Sequence, residues 1–316
     1  DLKNSEDLIT VLIPCRNASK YIKNSVKSIT NQSHKNLEIF LLENNSSDNT
    51  IKIINKIASE DKRIKVFSLK DSNLIKSLNY GINKSNGEFI ARMDADDLSH
   101  PDRLKEQIAI LKKDRADICG CDFFTFNYKG QIIENFSTPS KTLDCYKRLL
   151  FSVPYCHGSL LFRSKVLKKI TYDNDKYQSI EDYYLLVKMA EAGLIFTKVK
   201  RYLYYLRLHD ESFSKNKFNL MQKDANDLAN DFLKKNFSLF NKSLDKSIRN
   251  ILFSELCLIK EKKIIIDKLK KDKNIKTWKF FLLTSIYYLK LLLYLFKRFL
   301  NKIYFKAIKI KFIEFE

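Results

Sequence analysis

The chain has 316 residues, of which 45% are hydrophobic and 30% are charged, and its formal net charge is +21. This balance excludes extended disorder, and the length suits one large domain or a domain with an appendage. Much of the charge lies near the end, where residues 260–316 contain 16 Lys/Arg against five Asp/Glu. Such an excess favours a polyanionic partner, either nucleic acid or an anionic membrane surface.

Cysteine usage gives an expectation about redox state. The sequence has six cysteines, none in a Cys-x-x-Cys pair, and no secretory signal precedes them. Reduced cytosolic thiols are therefore expected, and a zinc site is not.

Strands and helices alternate over roughly the first 115 residues. Continuous apolar runs predict strands, and apolar residues at helical spacing between them predict helices. The predicted strands lie at 8–14, 37–42, 63–67 and 88–93, and the predicted helices begin near residues 22, 51, 72 and 104. This alternation predicts an α/β fold with a mostly parallel sheet flanked by helices, and it places ligands at the carboxyl ends of the strands.

The fourth predicted strand runs directly into three carboxylates, Asp94, Asp96 and Asp97. Asp94 and Asp96 should project to the same side of the chain, about 7 Å apart. Because carboxylates this close repel one another, a divalent cation such as magnesium, manganese or calcium would suit them. The alternative is a solvated acidic turn that precedes the helix starting after Pro101.

Glycine is scarce, which restricts how a nucleotide could be bound. None of the six glycines forms a Gly-x-Gly-x-x-Gly or Walker pattern. Without a glycine-rich turn, close backbone amides cannot be the main cradle for phosphates, and a metal held by carboxylates becomes the natural way to neutralise a diphosphate.

After residue 115 the pattern becomes mixed. Strands are predicted at 117–126, 131–136 and 159–162, with a short helix near 143–150. Glu181 and Asp182 open a further helix, where acidic residues either complement the helix dipole or supply a general base. His157 lies in a turn-like segment, and on local evidence His209 is a surface histidine.

From about residue 215 the sequence becomes helical and basic. Its longest nearly uncharged piece, Phe280–Phe296, has 17 residues and includes Lys290, which is short of the ~20 apolar residues that span a bilayer. Lysines and aromatic residues around it predict helices that lie in the interface of an anionic membrane. The alternative is that these helices only pack on the preceding domain. The predicted domains are residues 1–214 and 215–316.

Together these segments resemble the family 2 glycosyltransferases of the GT-A fold, inverting enzymes that build bacterial surface polysaccharides. The resemblance spans residues 8–214, and its most specific part is Gly87–Leu104. Further motifs follow the family's order: Pro14-x-x-Asn17, Glu43–Thr50, Leu78–Ile82, His157-Gly-Ser, Phe162-Arg163, Glu181-Asp182 and Tyr205-x-x-x-His209-x-x-Ser-x-Ser214. The chain departs from the family at Arg16, where an aromatic residue is usual, and at Glu43 and Asn44, which replace two aspartates.

The resemblance implies roles that the residues alone only permit. Asp182 would be the catalytic base with Glu181 beside it, Asp96 would bind Mn²⁺ or Mg²⁺, and His209 would contact the metal or the diphosphate. Acceptor contacts would come from His157 and Gly158. The implied donor-binding residues are Pro14, Arg16, Asn17, Glu43, Asn44, Lys76, Asn79, Arg92, Asp94 and Ala95, with Asp94 on the ribose.

The implied reaction moves a sugar from a nucleoside diphosphate sugar, with UDP expected, to a saccharide or lipid-linked acceptor for capsule, lipopolysaccharide or a related glycan. The enzyme would be cytoplasmic, bound to the inner face of the membrane, with no nucleic acid partner. A metal-dependent nucleotidyltransferase is a rival, but its family opens with a glycine-rich loop and residues 12–20 contain no glycine. A non-catalytic polyanion-binding protein would explain the charge but not the ordered carboxylates.

Overall fold

The computed structural model of the protein describes residues 7–70, 72–150, 152–172, 177, 179–209 and 218–235. The first half alternates strands and helices as predicted. Its elements are β1 (Ile9–Cys15), α1 (Ile22–Thr30), β2 (Leu37–Asn44), α2 (Thr50–Glu60), β3 (Ile64–Leu69), α3 (Leu74–Lys84) and β4 (Phe89–Arg92). Strands β1, β2 and β4 are buried at every position, which is why they form continuous apolar runs rather than alternating ones.

The second half confirms the predicted mixed pattern. Its elements are β5 (Leu98–Ser99), α4 (Arg103–Lys113), β6 (Ile118–Phe126), β7 (Ile132–Phe136), α5 (Thr142–Arg148), a 3₁₀ turn (His157–Ser159), β8 (Leu161–Arg163), α6 (Ser164–Lys169), α7 (Glu181–Glu191), β9 (Phe196–Arg207) and α8 (Phe218–Lys235). The predicted strand at 159–162 is divided between the 3₁₀ turn and β8.

The described strands form one sheet in the order β3-β2-β1-β4-β8-β6-β9-β5, with β7 paired to β6. The four strands of the first half run parallel, as predicted. Strand β8 is antiparallel to both β4 and β6, whereas β6 and β9 run parallel over most of their length. Because β1, β2 and β4 are parallel neighbours, their carboxyl ends meet at one edge, where the predicted site residues lie.

Helices cover both faces of the parallel strands. On one face, α1, α2 and α4 contribute Val26, Ile54 and Leu111 to a core shared with the strands. On the other face, α3 packs closely on β1 and β2. A Cβ at Gly81 of α3 would lie 2.9 Å from a methyl carbon of Leu12, so the absence of a side chain permits this approach.

Arg103, at the start of α4, is a fully buried cation that joins three segments of the site. Its Nε donates to Ser99 Oγ at 2.8 Å, and its Nη1 donates to the carbonyls of Arg92 at 3.2 Å and Gly158 at 3.0 Å. The end of β4, strand β5 and the 3₁₀ turn are therefore held around one side chain.

Contacts divide the chain into two compact units, Asp1–Asn230 and Asp231–Glu316. None of the helices in the described residues is long and apolar enough to cross a bilayer. The basic, aromatic helices predicted after residue 260 lie outside the described residues, so their membrane docking and the predicted boundary near residue 214 stay predictions.

Five cysteines belong to the described part of the chain, and all five are free thiols there. Four of them are buried and one is partly buried: Cys15, Cys119, Cys121, Cys145 and Cys156. Burial raises the pKa of the Cys121 thiol to about 12, with a further rise from Asp122 opposed by Arg103, so this thiol is unreactive.

Candidate active site

The site is built where β4 ends. Arg92, the last residue of β4, is buried, and its Nη2 donates to Asp94 Oδ1 at 2.7 Å. The Ser25 hydroxyl of α1 donates to the Asp94 carbonyl at 2.8 Å. Burial in the crevice raises the pKa of Asp94, although 33% of its side chain is exposed; Arg92 opposes this rise and Asp96 adds to it. Arg92 therefore presents a partly accessible carboxylate at the strand end.

Asp97, to which the sequence assigned no separate role, holds the acidic turn against β9. It is 1% exposed, and it accepts hydrogen bonds from the Tyr204 hydroxyl and the Arg207 backbone N–H, both at 2.7 Å. Its pKa lies well above the ordinary range because of burial, with repulsion from Asp96 and Asp94 added. The adjacent carboxylates were the available signal for Asp97, but Tyr204 and Arg207 belonged to no predicted motif position.

Asp96 and His209, the two implied metal contacts, lie next to each other. Nε2 of His209 lies 2.7 Å from Asp96 Oδ2, and the imidazole packs on the Tyr21 ring with centroids 5.3 Å apart. Arg207 donates from Nε to the Asp96 carbonyl at 2.7 Å, and its guanidinium lies between the rings of Tyr21 and Phe126, at 4.8 and 4.4 Å. The Asp96 turn is therefore fixed from the β9 side.

The Asp96–His209 pair fits a divalent cation whose coordination shell a bound ligand would complete. Two adjacent ligands in an octahedral shell with bonds of ~2.1 Å are about 3 Å apart, close to the separation of these donor atoms. Nδ1 of His209 is buried without a hydrogen-bond partner among the described residues. Those residues contain no group of three His, Cys, Asp or Glu side chains arranged to hold a metal. Magnesium sites often use one or two carboxylates together with substrate phosphates.

The 3₁₀ turn lies directly against Asp94. A Cβ on Gly158 would be 1.9 Å from the Tyr204 hydroxyl oxygen and 2.7 Å from Asp94 Oδ2, so no side chain fits at this position. Burial, and secondarily Arg92, holds the pKa of the neighbouring His157 well below its ordinary value. The two predicted acceptor residues therefore border the acidic strand end.

Tyr172 is a residue of this crevice that no sequence motif indicated. Its hydroxyl lies 2.6 Å from Nε2 of His157, and its side chain is buried. Asn79 of α3, an implied donor contact, uses its side-chain amide to bond the Tyr172 backbone: Nδ2 donates to the carbonyl at 2.9 Å, and Oδ1 accepts from the N–H at 3.2 Å.

Glu181 and Asp182 open α7 and face the same crevice. Burial raises the pKa of Glu181 to about 7, with repulsion from Asp182 as the second cause. The pKa of Asp182 is also raised, by burial and by repulsion from Asp94, while the N–H of Tyr183 donates to its Oδ1 at 2.7 Å and opposes the rise. Arg92 lowers the pKa of both, so the acidic pair is electrostatically linked to the end of β4.

The loops after β1 and β2 are bonded to each other beside this crevice. Asn17 has a positive φ of 49°, and its Oδ1 accepts from the Ser47 N–H at 2.9 Å. Its own N–H donates to Ser46 Oγ at 3.1 Å, and the Ser46 N–H donates to Glu43 at 2.6 Å. Arg16 is exposed on this loop. Asn17 and Glu43 therefore shape the loops through their own hydrogen bonds.

Of the remaining implied donor contacts, three are buried and one is exposed. Asn44 is buried and donates from Nδ2 to Ser77 Oγ at 3.0 Å, while its Oδ1 is buried with no partner among the described residues. Lys76 is exposed in the first turn of α3, and Ala95 is buried between the two aspartates. Pro14 is buried in β1. Of these residues, Asn44 offers an unsatisfied acceptor.

Three comparisons with known proteins agree with this architecture. A 222-residue alignment to an uncharacterised glycosyltransferase of Haemophilus influenzae is 31% identical and covers 66% of this chain and 67% of that protein. The O-antigen biosynthesis glycosyltransferase WbnJ of Escherichia coli is 27% identical over 212 residues, covering 66% of this chain and 83% of WbnJ. S. aureus TarS, solved with UDP-GlcNAc, has a TM-score of 0.58 at 19% identity, covering 83% of this chain and 85% of that one.

The likeness to TarS shows the fold, which is the predicted GT-A arrangement. The sequence model described as glycosyl transferase family 2 matches residues 10–171, which contain Asp94, Asp96 and the 3₁₀ turn. Glu181, Asp182 and His209 lie beyond the matched range, and the fold brings them to the same crevice. The chain belongs to glycosyl transferase family 2.

Proposed function

We propose that the protein transfers a sugar from a UDP-sugar to a saccharide or lipid-linked saccharide acceptor, with inversion at the anomeric carbon. One observation carries this proposal: a single crevice at the carboxyl ends of the strands contains an aspartate–histidine pair and a pair of adjacent carboxylates. Asp96 is paired with His209 at 2.7 Å, whereas Glu181 lies beside a second carboxylate and has a pKa raised to about 7. The first pair suits a diphosphate with its cation, and the second suits proton transfer.

The donor would lie along the loops that follow β1, β2 and β4. The Oδ1 of Asn44, which has no partner among the described residues, can accept a hydrogen bond from a nucleobase N–H, and the carboxylate of Asp94 can accept one from a ribose hydroxyl. TarS, solved with UDP-GlcNAc, supports a uridine nucleotide. Arg16, on the loop after β1, and Lys76, in the first turn of α3, are exposed cations that would contribute to diphosphate attraction.

Proton transfer would be the task of Asp182, with Glu181 beside it. An inverting displacement needs one carboxylate to accept the proton of the attacking hydroxyl while the nucleoside diphosphate leaves from the opposite face. Asp96 and His209 would hold Mn²⁺ or Mg²⁺, which when bound supplies charge neutralisation for the leaving diphosphate. Burial strengthens each of these electrostatic interactions because the local dielectric constant is lower than that of water.

The acceptor would approach from the side of His157 and Gly158. The name of the relative WbnJ, which refers to O-antigen biosynthesis, supports a surface glycan as the product. Bacterial glycan acceptors are often attached to membrane lipids, and we propose that the basic segment after residue 260 docks the enzyme on the anionic inner face of the membrane. Tethering would raise the local concentration of such an acceptor.

A panel of nucleotide sugars tests the proposed function. Full-length protein is mixed with UDP-, GDP- and TDP-sugars in the presence of Mn²⁺, and free nucleoside diphosphate is measured. Release from a UDP-sugar, accelerated by an oligosaccharide acceptor, is the expected result. Release of pyrophosphate from a nucleoside triphosphate would instead indicate nucleotidyl transfer, and no release from any donor would contradict catalysis.

A further inference from the structure

Tyr172 bonds to the 3₁₀ turn and to α3, and the charges at the end of β4 and the start of α7 act on it. Its side chain is 4% exposed, and its hydroxyl lies 2.6 Å from Nε2 of His157. The charges that act on this phenol come from Arg92 at the end of β4, from Asp94 after it, and from Glu181 and Asp182 on α7. A buried hydroxyl in this position can fix the state of the neighbouring histidine.

The protonation states of the two groups decide which one donates. Burial raises the pKa of Tyr172 above its ordinary value, so the phenol keeps its proton. Burial and Arg92 hold the pKa of His157 well below its ordinary value, so the imidazole is neutral and carries one N–H. Two arrangements remain: the phenol donates to Nε2, or an Nε2–H donates to the phenol oxygen.

Hydrogen-bond satisfaction favours the first arrangement. Among the described residues, His157 is the one hydrogen-bond partner of the Tyr172 hydroxyl. If Nε2–H donated, the phenol proton would be buried without an acceptor, which is unfavourable. If the phenol donates to Nε2, its proton is satisfied and the ring carries its own proton on Nδ1.

We propose that Tyr172 is a positioning residue that donates to Nε2 of His157 and holds the ring as the neutral Nδ1–H tautomer. The Nδ1–H is then the ring's donor to a hydroxyl of the sugar acceptor, a step that rests on the proposed function. Asn79 completes the arrangement, because its two hydrogen bonds to the Tyr172 backbone fix the tyrosine to α3. In this arrangement Asn79 acts on the acceptor side rather than on the donor.

The tautomer of His157 can be read directly by NMR. The chain has four histidines, so long-range proton–nitrogen correlation of the full-length, ¹⁵N-histidine-labelled protein gives a small set of signals. Comparison with His157→Asn assigns the signal of interest. The wild type should show a single Nδ1–H tautomer near neutral pH, and Tyr172→Phe should shift the population towards Nε2–H, because the donor to Nε2 is lost.

Tyr146→Phe is the matched control. Its hydroxyl donates to the Leu194 carbonyl at 2.8 Å, away from the crevice, so the same change should leave the His157 signal unaltered. An Nε2–H tautomer in the wild type would overturn the proposal without any variant. An unchanged tautomer in folded Tyr172→Phe would overturn it as well.

Kinetics separates this inference from the proposed function. Tyr172→Phe should lower kcat/KM for the acceptor about tenfold, the effect of losing one oriented hydrogen bond, and should leave UDP affinity unchanged. If no sugar transfer is detected with any donor, the proposed function fails while the tautomer measurement still stands. An unchanged acceptor kcat/KM together with the expected tautomer shift would overturn the acceptor role of His157.

Discussion

Replacing Asp182 with asparagine is the sharpest perturbation of the acidic pair on α7. The change removes one carboxylate and keeps the side-chain shape, and an Oδ1 acceptor remains for the Tyr183 N–H that donates to it at 2.7 Å. Because Asp182 is the second cause, after burial, of the raised pKa of Glu181, the substitution also changes its neighbour. The variant should therefore lose turnover and lower the pKa of Glu181 together.

The expected loss of turnover depends on the carboxylate that remains, Glu181. A positioned general base contributes roughly 10²–10⁴-fold, which corresponds to about 3–5 kcal/mol. Loss of the Asp182 charge removes one cause of the raised Glu181 pKa, so Glu181 is more readily ionised at neutral pH in the variant and can replace Asp182 in part. We therefore expect a loss of turnover near the lower limit, about a hundredfold, with UDP affinity nearly unchanged.

The assay is acceptor-dependent release of UDP, measured as a function of pH. Loss of the Asp182 charge should lower the pKa of Glu181, and a carboxyl-carbon NMR titration of the variant and the wild type measures that change directly. Glu181→Gln is the matched control, since it removes one charge from the same helix turn but leaves the proposed base. It should lose less activity than Asp182→Asn.

Two results would refute this reasoning. Near wild-type turnover in Asp182→Asn would show that another group is the general base, with Glu181 the first candidate. An unchanged Glu181 pKa in this variant would show that the two carboxylates do not titrate together.

Three further predictions concern stability, metal and membrane. Glu181→Gln should stabilise the protein above pH 7 by up to about 3 kcal/mol and leave it unchanged below about pH 4, because the penalty of a raised carboxyl pKa grows between those limits; equal denaturation midpoints at pH 8 would contradict this. Asp96→Asn should weaken Mn²⁺-dependent UDP binding in calorimetry at least tenfold, and the control Asp102→Asn, at a half-exposed carboxylate, should not; equal affinities would exclude Asp96 as a ligand. The full chain should sediment with anionic but not neutral vesicles, partly released by salt, and a chain ending at Asn241 should not; identical behaviour of both chains would assign the terminal helices to packing.

The alternating first half was predictable because strands β1, β2 and β4 are buried on both faces and the helices on one. Such burial leaves apolar runs of strand length separated by residues at helical spacing. The two-residue strand β5 was not predictable, since its place in the sheet comes from pairing with Tyr204 and Tyr205 of β9 rather than from a local pattern. Its existence is a tertiary effect.

The same distinction applies within the site. Asp94 and Asp96 were predictable because carboxylates concentrated at a strand end carry a local electrostatic signal. Arg207 was not, because it reaches Asp97 from 110 residues further along the chain and its contacts depend on how β9 joins the sheet. Tyr172 was hidden for a related reason: its hydroxyl partner and its backbone partner lie on two other segments.

The electrostatics of the site imply that its unliganded form is destabilised. Asp94, Asp97, Glu181 and Asp182 all have raised pKa values, and the buried cation that acts on three of them is Arg92. Burial would lower the pKa of this guanidinium, but the Asp94 carboxylate holds it above the ordinary value. Arg103 and Arg207 also act on Asp97, yet the carboxyl pKa values stay raised, so a cationic or hydrogen-bond-donating ligand would relieve repulsion that the fold maintains. Such repulsion lowers the stability of the folded protein. Residues that are retained despite this cost typically serve chemistry rather than packing.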